Sequence, residues 1–185
     1  SETNTSWAQG GIAAVTLASD NFDNHINDTL VAGDFLNKRS IVEKVIRIAP
    51  ELIKDLVKWG VNFDIDKEGN LETTREGGHS HHRILHHKDA TGKSIQHSLI
   101  NSISDKISIF AQHLVYHIRK DEEGAFHVNI INPKQEIQEI ISSHIVLATG
   151  GIGMLFENTT NAEIATGDGI TLAQSLGARM SQLSF

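Results

Sequence analysis

Four groups of residues in this 185-residue sequence have types and spacings that could do chemistry. Gln9-Gly10-Gly11 stands ahead of an apolar run, Ile12 to Ala18. Two glycines let bare backbone approach a flat or anionic ligand, and a helix starting there adds the positive partial charge of its N-terminus. A tight helix start without a ligand reads the same way. Arg75-Glu76-Gly77-Gly78-His79 joins a carboxylate, a good partner for a substrate ammonium, to a glycine pair that allows close contact. A charged surface loop is the plain alternative. Five histidines fall between His79 and His87. Their spacing matches no closed zinc pattern and lacks a Glu-x-x-His arrangement, so they read as hydrogen-bonding groups for a ligand or the backbone, with no metal. Asp168, between Gly167 and Gly169, is either a helix N-cap or an acceptor for a bound ligand. A phosphate-cradling G-x-G-x-x-G is missing, since Gly151-Ile152-Gly153-Met154-Leu155-Phe156 ends in Phe.

Composition removes several classes. Sixteen Lys and Arg against 23 Asp and Glu leave a formal charge of −7. That is the wrong sign for a nucleic-acid face, which needs clustered cations to displace counterions. The absence of Cys excludes disulfides, Cys-ligated zinc, iron–sulfur clusters and thiol nucleophiles. No apolar run approaches the ~18–20 residues of a membrane span, and no charged-then-apolar segment opens the sequence. The expected location is therefore cytoplasmic, away from membranes. With 39% hydrophobic and 21% charged residues, the chain can pack a core and is not expected to be disordered.

The elements that must position these groups follow from periodicity. The run from Ile12 reads as the start of a buried helix. Asp23 reads as an N-cap for a helix through Ile26, Leu30 and Val31, ended by Gly33. Ser40 and Glu43 form a capping-box pattern, and Ile41, Val45, Ile48, Leu52 and Leu56 form one apolar stripe closed by Gly60. Pro50 inside that stripe predicts a kink or two short helices. Val61 to Thr74, with Glu68-Gly69-Asn70 between apolar residues, predicts a small hairpin. Thr91 to Ile107 predicts a helix. Leu114–Arg119, Phe126–Asn132 and Gln135–Ile141 predict three strands joined by Asp-Glu-Glu-Gly and Asn-Pro turns. His144 to Gly151 is short, continuous and apolar, the pattern of a central parallel strand buried on both faces. Ligands of open α/β sheets sit at the C-terminal ends of such strands. A last helix carries Ile170, Ala173, Leu176 and Met180 on one face.

Taken in order, Asn4-Thr5-Ser6-Trp7-Ala8-Gln9-Gly10-Gly11-Ile12, Asp28-Thr29-Leu30, Thr74-Arg75-Glu76-Gly77-Gly78-His79-Ser80, Ala148-Thr149-Gly150-Gly151 and Thr166-Gly167-Asp168-Gly169 resemble the flavoproteins of the succinate dehydrogenase/fumarate reductase superfamily. Within it the chain is most similar to the L-aspartate oxidase family, whose Arg-Glu-Gly-Gly-His-Ser-His-x-Arg-Ile-Leu-His stretch stands here as Arg75 to His86, with His82 at the open position. The resemblance covers essentially the whole chain. It implies an α/β fold: an incomplete Rossmann-like FAD-binding domain over residues 1–185, with a parallel central sheet, flanking helices and a small β-meander. The first βαβ unit with its glycine fingerprint, a capping domain and a C-terminal helical domain are expected outside these residues. A Gln-Phe-His-Pro-Thr segment is expected soon after Phe185, and the chain alone is expected to be inactive.

The resemblance also implies roles. Asn4, Thr5, Ser6, Trp7, Ala8, Gln9, Gly10 and Gly11 match the FAD-contacting stretch, Asp168 matches a FAD-contacting aspartate, and Glu76 matches the substrate-orienting glutamate. Catalytic residues are expected outside this chain. The dicarboxylate enzymes carry a flavin-linked His where this sequence has Asn4, and an amide cannot form that bond. FAD is therefore expected to be non-covalent. The implied reaction is oxidation of L-aspartate to iminoaspartate with O2 or fumarate as electron acceptor, the first step of de novo NAD biosynthesis, feeding quinolinate synthase. The alternatives are a fumarate reductase or succinate dehydrogenase flavoprotein, against which Asn4 and Glu76 argue, and a non-enzymatic His-rich metal-binding module.

Overall fold

The computed structural model describes residues 3–103 and 105–181. The chain beyond Ser181, where the last expected segment would continue, and Ser1 at the head of the polar opening lie outside the described residues. Two compact units are present. The first is Thr5–Ile107, and the second runs from Ser108 onward and includes Asn4.

A single helical turn, α1 (Asn4–Trp7), whose residues from Thr5 onward belong to the first unit, leads to Gly11 and the strand β1 (Ile12–Ala13). The apolar run from Ile12 is thus a strand and not the expected helix. The reason is a partner: Ile12 pairs with Leu85 and Ala13 with Ile84 of β3 (Ile84–Leu85), and β2 (Thr73–Thr74) pairs antiparallel on the other side of β3. A Cβ on Gly11 would strike the Leu85 carbonyl oxygen, so only glycine allows the chain to enter the ladder there.

Helix α2 (Phe22–Ala32) starts at Asn21, whose side chain accepts from the Asn24 N–H at 2.9 Å, and ends at Gly33. The expected cap, Asp23, lies in the first turn instead, where its charge suits the helix dipole. Helix α3 (Arg39–Lys58) is one uninterrupted element with Pro50 inside it, not two helices. No side chain caps its start at Lys38. Ser40 lies within the helix, and Glu43 binds Arg39 Nε at 2.8 Å.

The face of α3 that is buried also differs from the expected stripe. Val42, Ile46 and Ile53 are buried, whereas Ile41, Val45, Ile48 and Leu52 are 43–57% exposed. Both sets have helical spacing, so periodicity alone does not choose between them. Packing chooses: Val42 and Ile46 meet Ile26 and Leu30 of α2, and Ile53 joins Ala14, Val61, Phe63 and Leu85. The expected hairpin after Gly60 reduces to one bridge, Ile65 to Leu71, around a turn in which Asp66 Oδ1 accepts from the N–H groups of Glu68 and Asn70. Helix α4 (Thr91–Ile103) ends four residues before the expected Ile107.

The second unit holds the expected meander: β4 (Leu114–Lys120), β5 (Phe126–Ile131) and β6 (Ile137–Ser142) in antiparallel order. Asp121 closes the first turn by accepting from the Ala125 N–H at 2.8 Å. Asn132 closes the second by accepting from Lys134 and Glu136. Helix α5 (Asp168–Ser175) contacts β4.

The expected parallel central sheet is not found among the described residues; both sheets are antiparallel. His144 to Gly151 forms no strand, and Val146 is 88% exposed. A strand exists only through the ladder on either side of it, and no described segment supplies one there. The α/β character holds, with helices and strands in both units.

Candidate functional site

The three short strands of the first unit gather residues that are far apart in sequence. Because Ile12 lies opposite Leu85, the residues before β1 and those after β3 emerge side by side. Gln9, Gly10, Thr74, Glu76, His86, Lys88 and Asp89 line an open cleft of about 400 Å³, within the size range of small-ligand sites. At its centre the Glu76 carboxylate lies against Gly10. A Cβ built on Gly10 would stand 3.5 Å from Glu76 Oε1. Two of the predicted groups, the glycine pair and the glutamate, are thus one site.

Asp64 holds two of these lining residues, His86 and Lys88, from behind. Its Oδ2 accepts from the Lys88 N–H at 2.7 Å and faces His86 Nδ1 at 3.1 Å, while Oδ1 stands 3.4 Å from His87 Nδ1. The Lys88 N–H, opposed by burial and helped by the two imidazoles, holds the Asp64 carboxyl below its ordinary value. An ionised Asp64 has no proton to give, so His86 carries its proton on Nδ1. His86 Nε2 is buried and without a partner among the described residues. Sequence reasoning missed Asp64, which stands as the polar residue between Phe63 and Ile65. The sign was available only as two histidines at the end of the motif with no acceptor assigned to them.

The remaining histidines of the motif meet neighbouring groups. His79 lies 5.7 Å from the His25 ring, His81 Nδ1 is 2.9 Å from Ser80 Oγ, and His82 Nδ1 is 3.3 Å from the Thr73 carbonyl. Among the described residues no group of three His, Cys, Asp or Glu is arranged to hold a metal.

The rest of the matched stretch divides between the units. Thr5 and Ala8 pack against the start of α4: the Gly92 N–H donates to the Ala8 carbonyl at 3.0 Å, and a Cβ on Gly92 would strike the Thr5 carbonyl. Ser6 is half-buried, and Trp7 is 46% exposed. Asn4 belongs to the second unit. Its Nδ2 donates to Asn161 at 2.9 Å and its Oδ1 accepts from the Ala162 N–H at 2.6 Å. Asp168 is also in the second unit, in the first turn of α5 behind Gly167, and accepts from Thr166 Oγ1 at 2.8 Å. The Thr166–Gly169 and Ala148–Gly151 motifs meet there, since a Cβ on Gly169 would strike the Thr149 side chain.

These features suit a flavin. Bare backbone at Gly10 opens on the cleft, His86 lines it with one ring nitrogen buried and unpartnered among the described residues, and the exposed Gln9 offers an amide. A buried polar atom without a partner is costly unless a ligand completes it.

Comparison with known proteins agrees. Residues 1–185 match the FAD binding domain family. The chain is 37% identical over 191 residues to a protein of Oryza sativa subsp. japonica named L-aspartate oxidase, chloroplastic, covering 100% of this chain and 30% of that protein. It is 34% identical over 195 residues to the L-aspartate oxidase of Acinetobacter baylyi, covering 100% of this chain and 36% of that protein. Among solved structures it superposes on E. coli quinol fumarate reductase FrdA with a TM-score of 0.88 at 30% identity, over 94% of this chain and 30% of that one. The chain thus spans about a third of the length of the curated relatives it matches. It belongs to the FAD-binding domain family, and its cofactor is FAD.

Proposed function

We propose that this chain is the flavin-facing part of an enzyme that oxidises L-aspartate to iminoaspartate, with O2 or fumarate taking the electron pair in a second step. The observation that carries this reading is the Glu76 carboxylate against Gly10 at one cleft. The names of the similar proteins support it. When bound, FAD supplies the two-electron acceptor for the hydride that leaves the α-carbon.

The chain's own residues bind and orient. Glu76 accepts a hydrogen bond from the substrate ammonium, which fixes the nitrogen and so aims the α-C–H bond. The ammonium must lose protons as the C=N bond of the product forms, and Glu76 is the carboxylate placed to hold that charge beforehand. Asn4 to Gly11 and Asp168 are the proposed FAD contacts. Asn4 has no ring nitrogen to bond a flavin, so the cofactor is held non-covalently. Iminoaspartate is an electrophilic imine, and quinolinate synthase is the proposed consumer. The reading carries a cytoplasmic location with it. No helix among the described residues is long and apolar enough to cross a membrane.

The test is a full-length protein containing these residues. Glu76→Gln should raise KM for aspartate about tenfold or more, the scale of one charge-assisted hydrogen bond, and leave KM for fumarate unchanged. Equal losses for both would make Glu76 a structural residue. The second reading, a dicarboxylate reductase, draws on the FrdA superposition; turnover of succinate but not aspartate would establish it.

The dinucleotide fingerprint, the capping domain and the helical domain are proposed to lie in further chain of a longer protein, as the coverage of the relatives suggests. In that chain, His144 to Gly151 is proposed to enter a parallel central sheet. The 185-residue chain alone should then bind FAD weakly and turn over nothing. Fluorescence titration with FAD checks this, and a tight yellow complex would refute it.

A further inference from the structure

Glu76 sits in a loop that has little to hold it. The loop leaves the sheet at Thr74 and returns at Arg83, whose N–H donates to the Thr74 carbonyl at 3.1 Å. Inside it Gly77 and Gly78 follow Glu76 directly, Gly78 at φ +80°, and among the described residues the one backbone bond is His79 N–H to the Glu76 carbonyl at 3.2 Å. A loop with two adjacent glycines samples many conformations unless something outside pins it.

The pin is Asp28. A single oxygen, Oδ2, accepts from the Ser80 N–H at 2.8 Å, from Ser80 Oγ at 2.7 Å and from Arg83 Nη1 at 2.6 Å. Arg83 is itself fixed: its side chain is fully buried, Nε donates to Asp20 Oδ2 at 2.7 Å and Nη2 to Asp20 Oδ1 at 2.8 Å. Asp28 lies in the middle of α2, between Ile26 and Leu30, which are both in the core. A rigid helix thus reaches the loop through one carboxylate. Asp28-Thr29-Leu30 is one of the stretches that carries the family resemblance, yet no part of the proposed reaction uses it.

We propose that Asp28 is a positioning residue for Glu76, acting through Ser80 and the Arg83 guanidinium to hold the carboxylate against Gly10. The inference rests on the reading that Glu76 meets a substrate ammonium. A site residue is only as well placed as the groups that support it.

The test uses the full-length enzyme with Asp28→Asn, Glu76→Gln and the double variant. Asp28→Asn should raise KM for aspartate about tenfold, the scale of weakened hydrogen bonds to a charged group, with KM for fumarate within twofold. The double variant should be no worse than Glu76→Gln alone, because residues acting through one another are not additive. An aspartate KM within twofold of wild type, or fully additive losses, would overturn the proposal. If Asp28→Asn does not fold, Ser80→Ala removes one of the three donors and should give a smaller shift of the same kind; no shift would overturn it. If the wild-type enzyme does not oxidise aspartate, the functional reading fails by itself. Positioning is then read from amide hydrogen exchange of residues 76–80, which should accelerate in Asp28→Asn while α2 stays protected. Unchanged exchange there would overturn it.

Discussion

Arg83 and Val146 are placed against type. The guanidinium is 0% exposed and the valine 88% exposed. Arg83 belongs to a polar loop whose partners, Asp20 and Asp28, lie within the same unit and complete its hydrogen bonds. Val146 belongs to an apolar run with no ladder on either side among the described residues. A buried charge is tolerable once paired, and an apolar strand is unsatisfied until flanked. Local completeness, not hydrophobicity, decides which of the two is inside.

The comparison breaks hardest at Arg83. Arg83→Met leaves Asp20 buried without its guanidinium and should destabilise the first unit by about 3–5 kcal/mol. Urea denaturation followed by Trp fluorescence checks it. A loss below about 1 kcal/mol, the scale of an exposed pair, would show that the cluster is not desolvated.

Acid should attack the same place in two steps. Burial, then the positive charges of Arg83 and His79, push the buried His25 down to about 4 from its ordinary 6.5. Unfolded chains therefore take up that proton first, and stability should fall as pH drops from 6.5 to about 4. Asp28 follows. Burial alone would raise it, but the Ser80 donors and Arg83 outweigh burial and hold it at about 2, against 3.8 in the open chain. Its contribution is present above 3.8 and is lost as pH falls towards 2. The sign reverses at His127 in the second unit. Hydrogen bonding to Glu139 and Asp121 raises it, so its contribution is fullest at low pH and fades as pH rises through the folded value. Denaturation midpoints measured from pH 8 to 3, with histidine NMR titrations to separate the units, check both signs. A first unit with constant midpoint between pH 7 and 4 would contradict the His25 assignment.

The smallest expected effect is the sharpest control. Val146→Asp in the 185-residue chain should change stability by less than about 0.5 kcal/mol, as for exposed sites generally. In a longer protein that flanks this run with strands, the same change buries a charge and should cost several kcal/mol. Equal effects in both would remove the proposed strand.

The meander was legible because each of its turns carries its own closing residue, Asp121 in one and Asn132 in the other. The end of α2 was legible for the same reason, at Gly33. Helix α3 shows where such reading stops. Two neighbouring apolar stripes satisfy the same period, and the packing of α2 decides between them. At the site, Glu76 and the glycine pair stand out by residue type, and their meeting needed the Ile12–Leu85 register. Asp64 and Asp28 did not stand out, because an aspartate in a strand-like run or on a helix face looks like ordinary surface until its donors arrive from elsewhere.

The outer strand of the meander has a consequence for association. Among the described residues strand β6 pairs only with β5, so alternate N–H and C=O groups along its other side belong to no ladder there. Ile137, Ile140 and Ile141 on it are 37–68% exposed. That edge is a ready template for another extended segment to add itself, and the one charge on the strand, Glu139, is already engaged with His127 and Arg119.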